Sequence, residues 1–303
     1  MRTLEVREKS ELLPYLFKVL ADTKKTRVRQ ALKLGSVSVN GRVITQFNHA
    51  LRPGDKISID RPSPAARPTG PLFDIKIIYE DESILVADKP SGLLTIATEK
   101  IQRHTAFYAV SQYLKDSTPH RREERDPLSR KNLFLVHRLD KDTSGLIVFA
   151  KSAAAKDHLQ AQWKEKGVRK KYFAVVEGAP KEKTGTLRSF LRENKFFRVH
   201  VTKWEAAGKE AVTHYAVLRS TELYSLLEVS IETGRKHQIR VHFSEMGHPL
   251  AGDSMYGAKT SPAGRLALHA SELIFRHPAS GKKVRFESPL PDILKKLVRE
   301  EKS

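Results

Sequence analysis

The chain has 303 residues, and its hydrophobic residues (39%) are spread along it, which suits one large domain plus a small one and argues against global disorder. It has no cysteine, which excludes disulfides, thiolate nucleophiles, Cys-ligated zinc and iron–sulfur sites, and with them the zinc deaminases. The net charge of +20 far exceeds the ~2–8 of an ordinary small-domain surface, so a polyanion is the expected partner, with nucleic acid ahead of an acidic membrane.

The first six residues, Met1 to Val6, are mixed and charged, unlike a signal-peptide core. No apolar run approaches the ~20 residues of a membrane span, and no lipidation signal or basic amphipathic anchor stands out. A cytoplasmic monomer that stays off the membrane is expected.

Residues 1–60 read as a small basic α/β module; 13 Lys and Arg stand against 6 Asp and Glu over residues 1–61. Leu12, Leu13, Leu16 and Leu20 have helical spacing, and a second helix is expected from a Thr26 cap to Gly35. Val37 to Val43 should form a hairpin, with Asn40-Gly41 supplying the positive φ of its turn. Pro53-Gly54-Asp55 should turn the chain into a last strand. Residues 61–71 hold four prolines and no apolar period, which marks a stiff linker.

Residues 72–297 mix strands and helices without a βαβ repeat. Short strands are expected at Ile75–Ile77 and Ile84–Val86, around the charged turn Glu80-Asp81-Glu82. Apolar runs predict buried strands at Leu133–Val136 and Leu146–Phe149. Ala153–Lys166 should be a helix stopped by Gly167. Leu227, Val229 and Ile231 alternate with polar residues, as in a half-buried strand. Ile239, His242, Phe243 and Met246 share one helical face, and Gly247 and Pro249 end that helix. The expected class is α+β, with a mixed, largely antiparallel sheet. Lys115 to Asn132 is polar and charged and reads as an exposed insertion that orders on RNA or stays a solvated loop.

The most informative stretch is Val136-His137-Arg138-Leu139-Asp140-Lys141-Asp142-Thr143-Ser144-Gly145. A buried strand ends, a polar loop turns and another buried strand begins, so the loop sits on rigid scaffold. Asp140-x-Asp142-x-Ser144-Gly145 imitates the start of a calcium loop. Such a loop needs a carboxylate at its twelfth position, and Lys151 stands there instead. His237 and His242 are five apart, not the i, i+4 of paired ligands on one helix face, so no metal is expected.

Two resemblances follow from these residues. Thr26-Arg27 through Gly35, Val39-Asn40-Gly41 and Pro53-Gly54-Asp55 resemble the RNA-binding module shared by a small-subunit ribosomal protein and tyrosyl-tRNA synthetases. The resemblance makes Arg27, Arg29 and Lys33 the candidate phosphate contacts. His137-Arg138-Leu139-Asp140 with Thr143-Ser144-Gly145 resembles the central motif of the RNA pseudouridine synthases of the RluA/RluD type. In order around it come Asp88-Lys89-Pro90-Ser91-Gly92, Lys170-Lys171-Tyr172, Thr233 to His242, Gly252-Asp253 and Leu268-His269-Ala270.

That second resemblance implies isomerisation of uridine in RNA to its carbon-linked isomer, without a cofactor. It implies Asp140 as nucleophile, open to attack either the ribose anomeric carbon or carbon six of the base. Arg240 would hold that carboxylate bidentately and orient it. Tyr172 would stack on the uracil, its hydroxyl helping to remove the proton from carbon five. Leu139 and Ile239 would wall the pocket against water. Arg138 would fill the place the flipped base leaves or grip the backbone. Large-subunit ribosomal RNA is the expected substrate, transfer RNA the alternative. A non-catalytic RNA-binding or ribosome-assembly factor would explain the charge equally, but has no need of Asp140, Tyr172 and Arg240 together.

Overall fold

The computed structural model describes residues 2–6, 8–20, 25, 28–29, 32, 37–44, 46–59, 74–98, 101, 103–116, 133–202 and 204–299. The chain divides into two compact units, Met1–Pro71 and Leu72–Ser303.

The first unit contains β1 (Arg2–Glu5), β2 (Ser10–Glu11), β3 (Val37–Val39), β4 (Arg42–Val43), β5 (Ala50–Leu51) and β6 (Lys56–Ile59), with helix α1 over Leu12–Val19. One sheet runs β1-β6-β3-β4, and β2 pairs separately with β5. The leucine spacing gives α1 its core face: Leu12 and Leu16 are buried together with Val28, Leu32, Val39 and Ile57. Asn40 and Gly41 take φ of 49° and 79°, the left-handed pair that a two-residue hairpin turn requires, so Val39 pairs with Arg42. Asp55 ties the unit's two turns together, accepting from Arg52 N at 2.7 Å and Asn40 Nδ2 at 2.8 Å. The expected helix cap Thr26 and end Gly35 lie outside the described residues, as do Arg27 and Lys33. Lys25, Val28, Arg29 and Leu32 are helical.

The second unit is built on β7 (Lys76–Glu80), β8 (Ile84–Lys89), β9 (Phe134–Leu135), β10 (Ser144–Ala150), β11 (Arg169–Glu177), β12 (Thr184–Glu193), β13 (Val199–Thr202), β14 (Lys209–Ser220), β15 (Tyr224–Ile231), β16 (Leu268–Arg276) and β17 (Lys283–Glu287). They form one sheet in the order β13-β12-β14-β15-β11-β16-β10-β8-β7, with β17 on β16 and β9 on β10. Every pairing is antiparallel except β10 with β16. The mixed, largely antiparallel α+β class expected from the sequence is therefore the class found.

Helices α2 (Ala106–Asp116), α3 (Ala153–Lys164), α4 (Gln238–Glu245) and α5 (Asp292–Lys295) accompany the sheet. Ser152 caps α3, its side chain accepting from Ala155 N at 3.1 Å. The apolar runs of β8 and β10 are buried on both faces, Leu85, Ala87, Ile147 and Phe149 on one side and Val86, Leu146 and Val148 on the other.

Two expectations need correction. Leu133–Val136 was expected to be a buried strand like β10. The strand is only Phe134–Leu135, half-buried, because it meets just the end of β10 at Phe149 and Ala150. The helix after Gly234 was expected to show one apolar face. Gln238 to Phe243 are all buried, so α4 sits inside the unit. Its polar residues are accommodated by specific bonds, such as His242 to Thr213 and Ser189. Residues 117–132, most of the expected insertion, lie outside the described residues.

Candidate active site

The loops leaving β8 and entering β10 are tied together by a buried lysine. Lys89 is fully buried at the end of β8, and its Nζ donates to the carbonyls of Pro90, Leu93 and Lys141 at 2.9, 2.8 and 2.9 Å. Three carbonyls match the three protons of an ammonium. Burial nevertheless pulls its pKa down to about 7, against the opposing charges of Asp142, Asp140 and Asp88. Gly92 N adds a bond to Lys141 O at 3.0 Å, and Ser91 Oγ one to Asp142 O at 2.6 Å. Thr95 Oγ1 donates to Leu139 O at 2.7 Å and accepts from Leu139 N at 3.2 Å. The backbone on both sides of Asp140 is therefore fixed, as a preorganised carboxylate requires.

Where β10 begins, Gly145 has φ 109° and lies in register with Ala270 of β16. A Cβ there would come within 2.2 Å of the Ala270 carbonyl oxygen. The glycine of Thr143-Ser144-Gly145 thus permits the one parallel contact that closes the sheet behind the loop. Beside it Ser144 Oγ shares a hydrogen bond with His269 at 2.8 Å and accepts from Arg265 at 2.6 Å.

The opposite wall comes from α4. Gln238 is locked on all sides: its Oε1 accepts from Thr233 Oγ1 and Arg235 N, and its Nε2 donates to Val212 O and Thr213 Oγ1. Two residues on, Arg240 grips Asp253 with Nε and Nη2 at 2.7 and 2.8 Å. Its remaining nitrogen, Nη1, lies 3.6 Å from Asp140 Oδ2. The expectation that Arg240 holds Asp140 bidentately is therefore corrected. A guanidinium has one Nε–Nη2 edge, and Asp253 occupies it. Burial opposes the charge of Arg240, but the bonds to Asp253 and its negative charge outweigh that and raise the pKa.

His237, at φ 54° just before α4, shares Nδ1 with Tyr256 Oη at 2.7 Å and presents Nε2 to Asp140 at 3.9 Å. Burial lowers its pKa, with Asp140 pulling the other way. Tyr172 on β11 packs between two core clusters. Burial first, then the charge of Asp140, pushes its phenol well above the ordinary tyrosine range. Its proton is thus held across the neutral range.

Asp140, Tyr172 and Arg240 meet around a cavity of about 90 Å³, with Leu139, Ile239 and Leu268 as apolar wall. That is room for a small flat ring rather than the ~300 Å³ or more of a typical ligand pocket. Arg138 is exposed at its edge. The arrangement offers a carboxylate, a cation and a protonated phenol to one planar group. Arg29 belongs to the first unit, where its guanidinium lies 5.1 Å from the Phe17 ring centre. Asp253, His237, Lys89 and Thr95 were not singled out from the sequence. Asp253 stood in a recognised Gly-Asp pair, and Lys89 in a recognised motif, without a role attached to either.

The profile of the family described as RNA pseudouridylate synthase matches residues 83–245, more than half of the chain. An uncharacterised RNA pseudouridine synthase of Bacillus subtilis is 36% identical over 299 residues, which cover 98% of this chain and 96% of that one. The chain belongs to the RNA pseudouridylate synthase family. As an RNA pseudouridine synthase it is an isomerase that acts on uridine in RNA. The ribosomal large subunit pseudouridine synthase D of Neisseria meningitidis is also similar, at 35% identity over 91% of this chain and 75% of that one. Among solved structures, the human RNA pseudouridylate synthase domain containing 4 superposes with a TM-score of 0.57 at 25% identity, covering 73% of the synthase described here and 90% of its own chain. Among the described residues no helix is long and apolar enough to cross a membrane.

Proposed function

We propose that this synthase modifies particular uridines of large-subunit ribosomal RNA, using Asp140 as its nucleophile on a uridine turned out of its stack. The observation that carries the reading is the Asp140 carboxylate, 3.6 Å from Arg240 Nη1, at a small cavity it shares with Tyr172. The choice of ribosomal RNA rests on the similarity to the Neisseria enzyme over nearly the whole chain; transfer RNA is the alternative. Residues 72–297 are the catalytic domain, residues 1–60 an RNA-binding module, and residues 61–71 the linker. The protein works as a monomer in the cytoplasm.

A base inside a stack is out of reach of a carboxylate on a fixed loop, so the uridine flips, at a cost of a few kcal/mol. Arg138 at the cavity's edge takes the vacated place or holds the backbone. Phosphate contacts from Arg27, Arg29 and Lys33 help offset the flipping cost and make binding salt-sensitive. In the pocket the uracil lies against Tyr172. Asp140 attacks the ribose anomeric carbon or carbon six of the base. The glycosidic bond to nitrogen breaks, the ring turns, carbon five bonds to the ribose and the bond to Asp140 breaks, freeing its carboxylate; the proton lost from carbon five is matched by one gained at that nitrogen. Arg240 orients the carboxylate, and the Tyr172 hydroxyl serves removal of the proton from carbon five as a relay, passing its own proton on as it takes that one. Leu139 and Ile239 exclude the water that would convert isomerisation into hydrolysis.

The test is a pseudouridine map of total RNA from cells without the protein, with it, and with Asp140→Asn. A large-subunit position should lose its modification without the protein and regain it only with Asp140 intact. Purified Asp140→Asn should keep its fold and RNA affinity and form no product. Substantial turnover by that variant would remove Asp140 from the nucleophile's role, and a loss confined to transfer RNA would change the substrate.

A further inference from the structure

Lys170, two residues before Tyr172 on β11, is buried with 7% of its surface exposed. No hydrogen bond or ion pair to its ammonium is found among the described residues. Burial first, and then the positive charge of Arg235, pulls the pKa of Lys170 down to about 8. It also lies close enough to His137 to add to the burial that holds that imidazole neutral. A largely buried lysine set among other cations is held at a cost that an anion in the groove would relieve.

The side chain lines a groove of about 580 Å³, far larger than the uridine pocket. Lys166, Arg169, Arg276 and Lys283 stand around it. Its one carboxylate, Glu232, is already engaged by His214 at 2.9 Å and Lys166 at 3.9 Å. The groove and the uridine pocket share Ile231 as a wall. Gly234 lines the uridine pocket, and a Cβ on it would sit 4.0 Å from Lys170 Nζ. We propose that this groove seats a backbone phosphate of the RNA strand beside the reacting uridine, with the Lys170 ammonium as its buried contact. The inference rests on the reading that the uridine reacts at Asp140. A free phosphate ion shares the chemistry, but the groove's size and the wall it shares with the uridine pocket favour a strand that already enters that pocket.

The test uses the full-length protein and unmodified large-subunit ribosomal RNA made by transcription. RNA affinity is measured between about 50 and about 200 mM salt. Lys170→Met keeps the length and removes the charge. Its slope of log affinity against log salt should be shallower by about 0.7 to 0.9, the share of one phosphate contact. Its KM should rise with kcat little changed, and its melting temperature should not fall. Arg276→Gln with Lys283→Gln alters only the rim and should also flatten the slope, so this pair decides the matter if Lys170→Met does not fold. Slopes equal to wild type in the variants that fold would overturn the proposal. So would inorganic phosphate raising the melting temperature of wild type but not of Lys170→Met while their RNA slopes coincide, since the groove would then serve a free anion. Asp140→Asn is assayed alongside: product from it would fault the reading of the uridine site, whereas a lost Lys170 effect would fault only the groove.

Discussion

Arg240 divides one guanidinium between two carboxylates, and the division is unequal. Asp253, 2% exposed, takes the bidentate edge, leaving a single nitrogen 3.6 Å from Asp140. Asp253 thereby aims the cation, and Asp140 is left without a tight partner that an incoming substrate would have to displace. Asp253→Asn removes one partner of a buried pair, which costs about 3 kcal/mol. It should lower the melting temperature and reduce single-turnover product formation more than RNA affinity, as thermal melts and rapid-quench assays would read. That Asp140, Tyr172 and Arg240 share one cavity was foreshadowed in the sequence because each stands in a short motif. Asp253 and His237 also stand in such motifs, but no role was attached to them, because their roles arise from contacts between a helix and its neighbouring loops that leave no local period.

At the scale of elements, the parallel pairing of β10 with β16 turns on Gly145. Alanine there meets both a positive φ and the Ala270 carbonyl at 2.2 Å. Gly145→Ala should cost about 2–4 kcal/mol, since strain and overpacking act together. Urea denaturation should show a lower midpoint with little change in slope. Strand β10 was readable as a buried run, and the β3–β4 turn from its Asn-Gly pair. The brevity of β9 was not, because an apolar run records burial but not how far a partner strand extends. Nor was the burial of α4 on every side, since Gln238, Arg240 and His242 look like a polar face until their partners are known.

The whole molecule combines two units that each possess an apolar core: Leu12, Leu16 and Ile57 with their neighbours in the first, and the clusters on both faces of the sheet in the second. Removing residues 1–71 should leave a folded catalytic unit. That unit should bind ribosomal RNA more weakly and with a shallower salt slope, while its kcat at saturating RNA stays near that of the full chain. Filter binding and steady-state kinetics would read both; a kcat that collapses would mean the first unit does more than bind. The excess of basic residues made a nucleic-acid partner the leading expectation from composition; that it is RNA came from the motifs. The order of strands in the large sheet was not legible, because partners more than a hundred residues apart share no local signal.

That distance has a consequence for how the protein is made. Ser144 is bonded to His269, 125 residues further along, and Leu268 helps wall the cavity at Asp140. A ribosome delivers the chain from its N-terminus, so the Asp140 loop emerges long before the strand that backs it. Until β16 follows, the loop has neither its parallel neighbour nor that wall. An unfinished chain, born beside abundant ribosomal RNA, therefore carries the Asp140 loop before the cavity around it is complete.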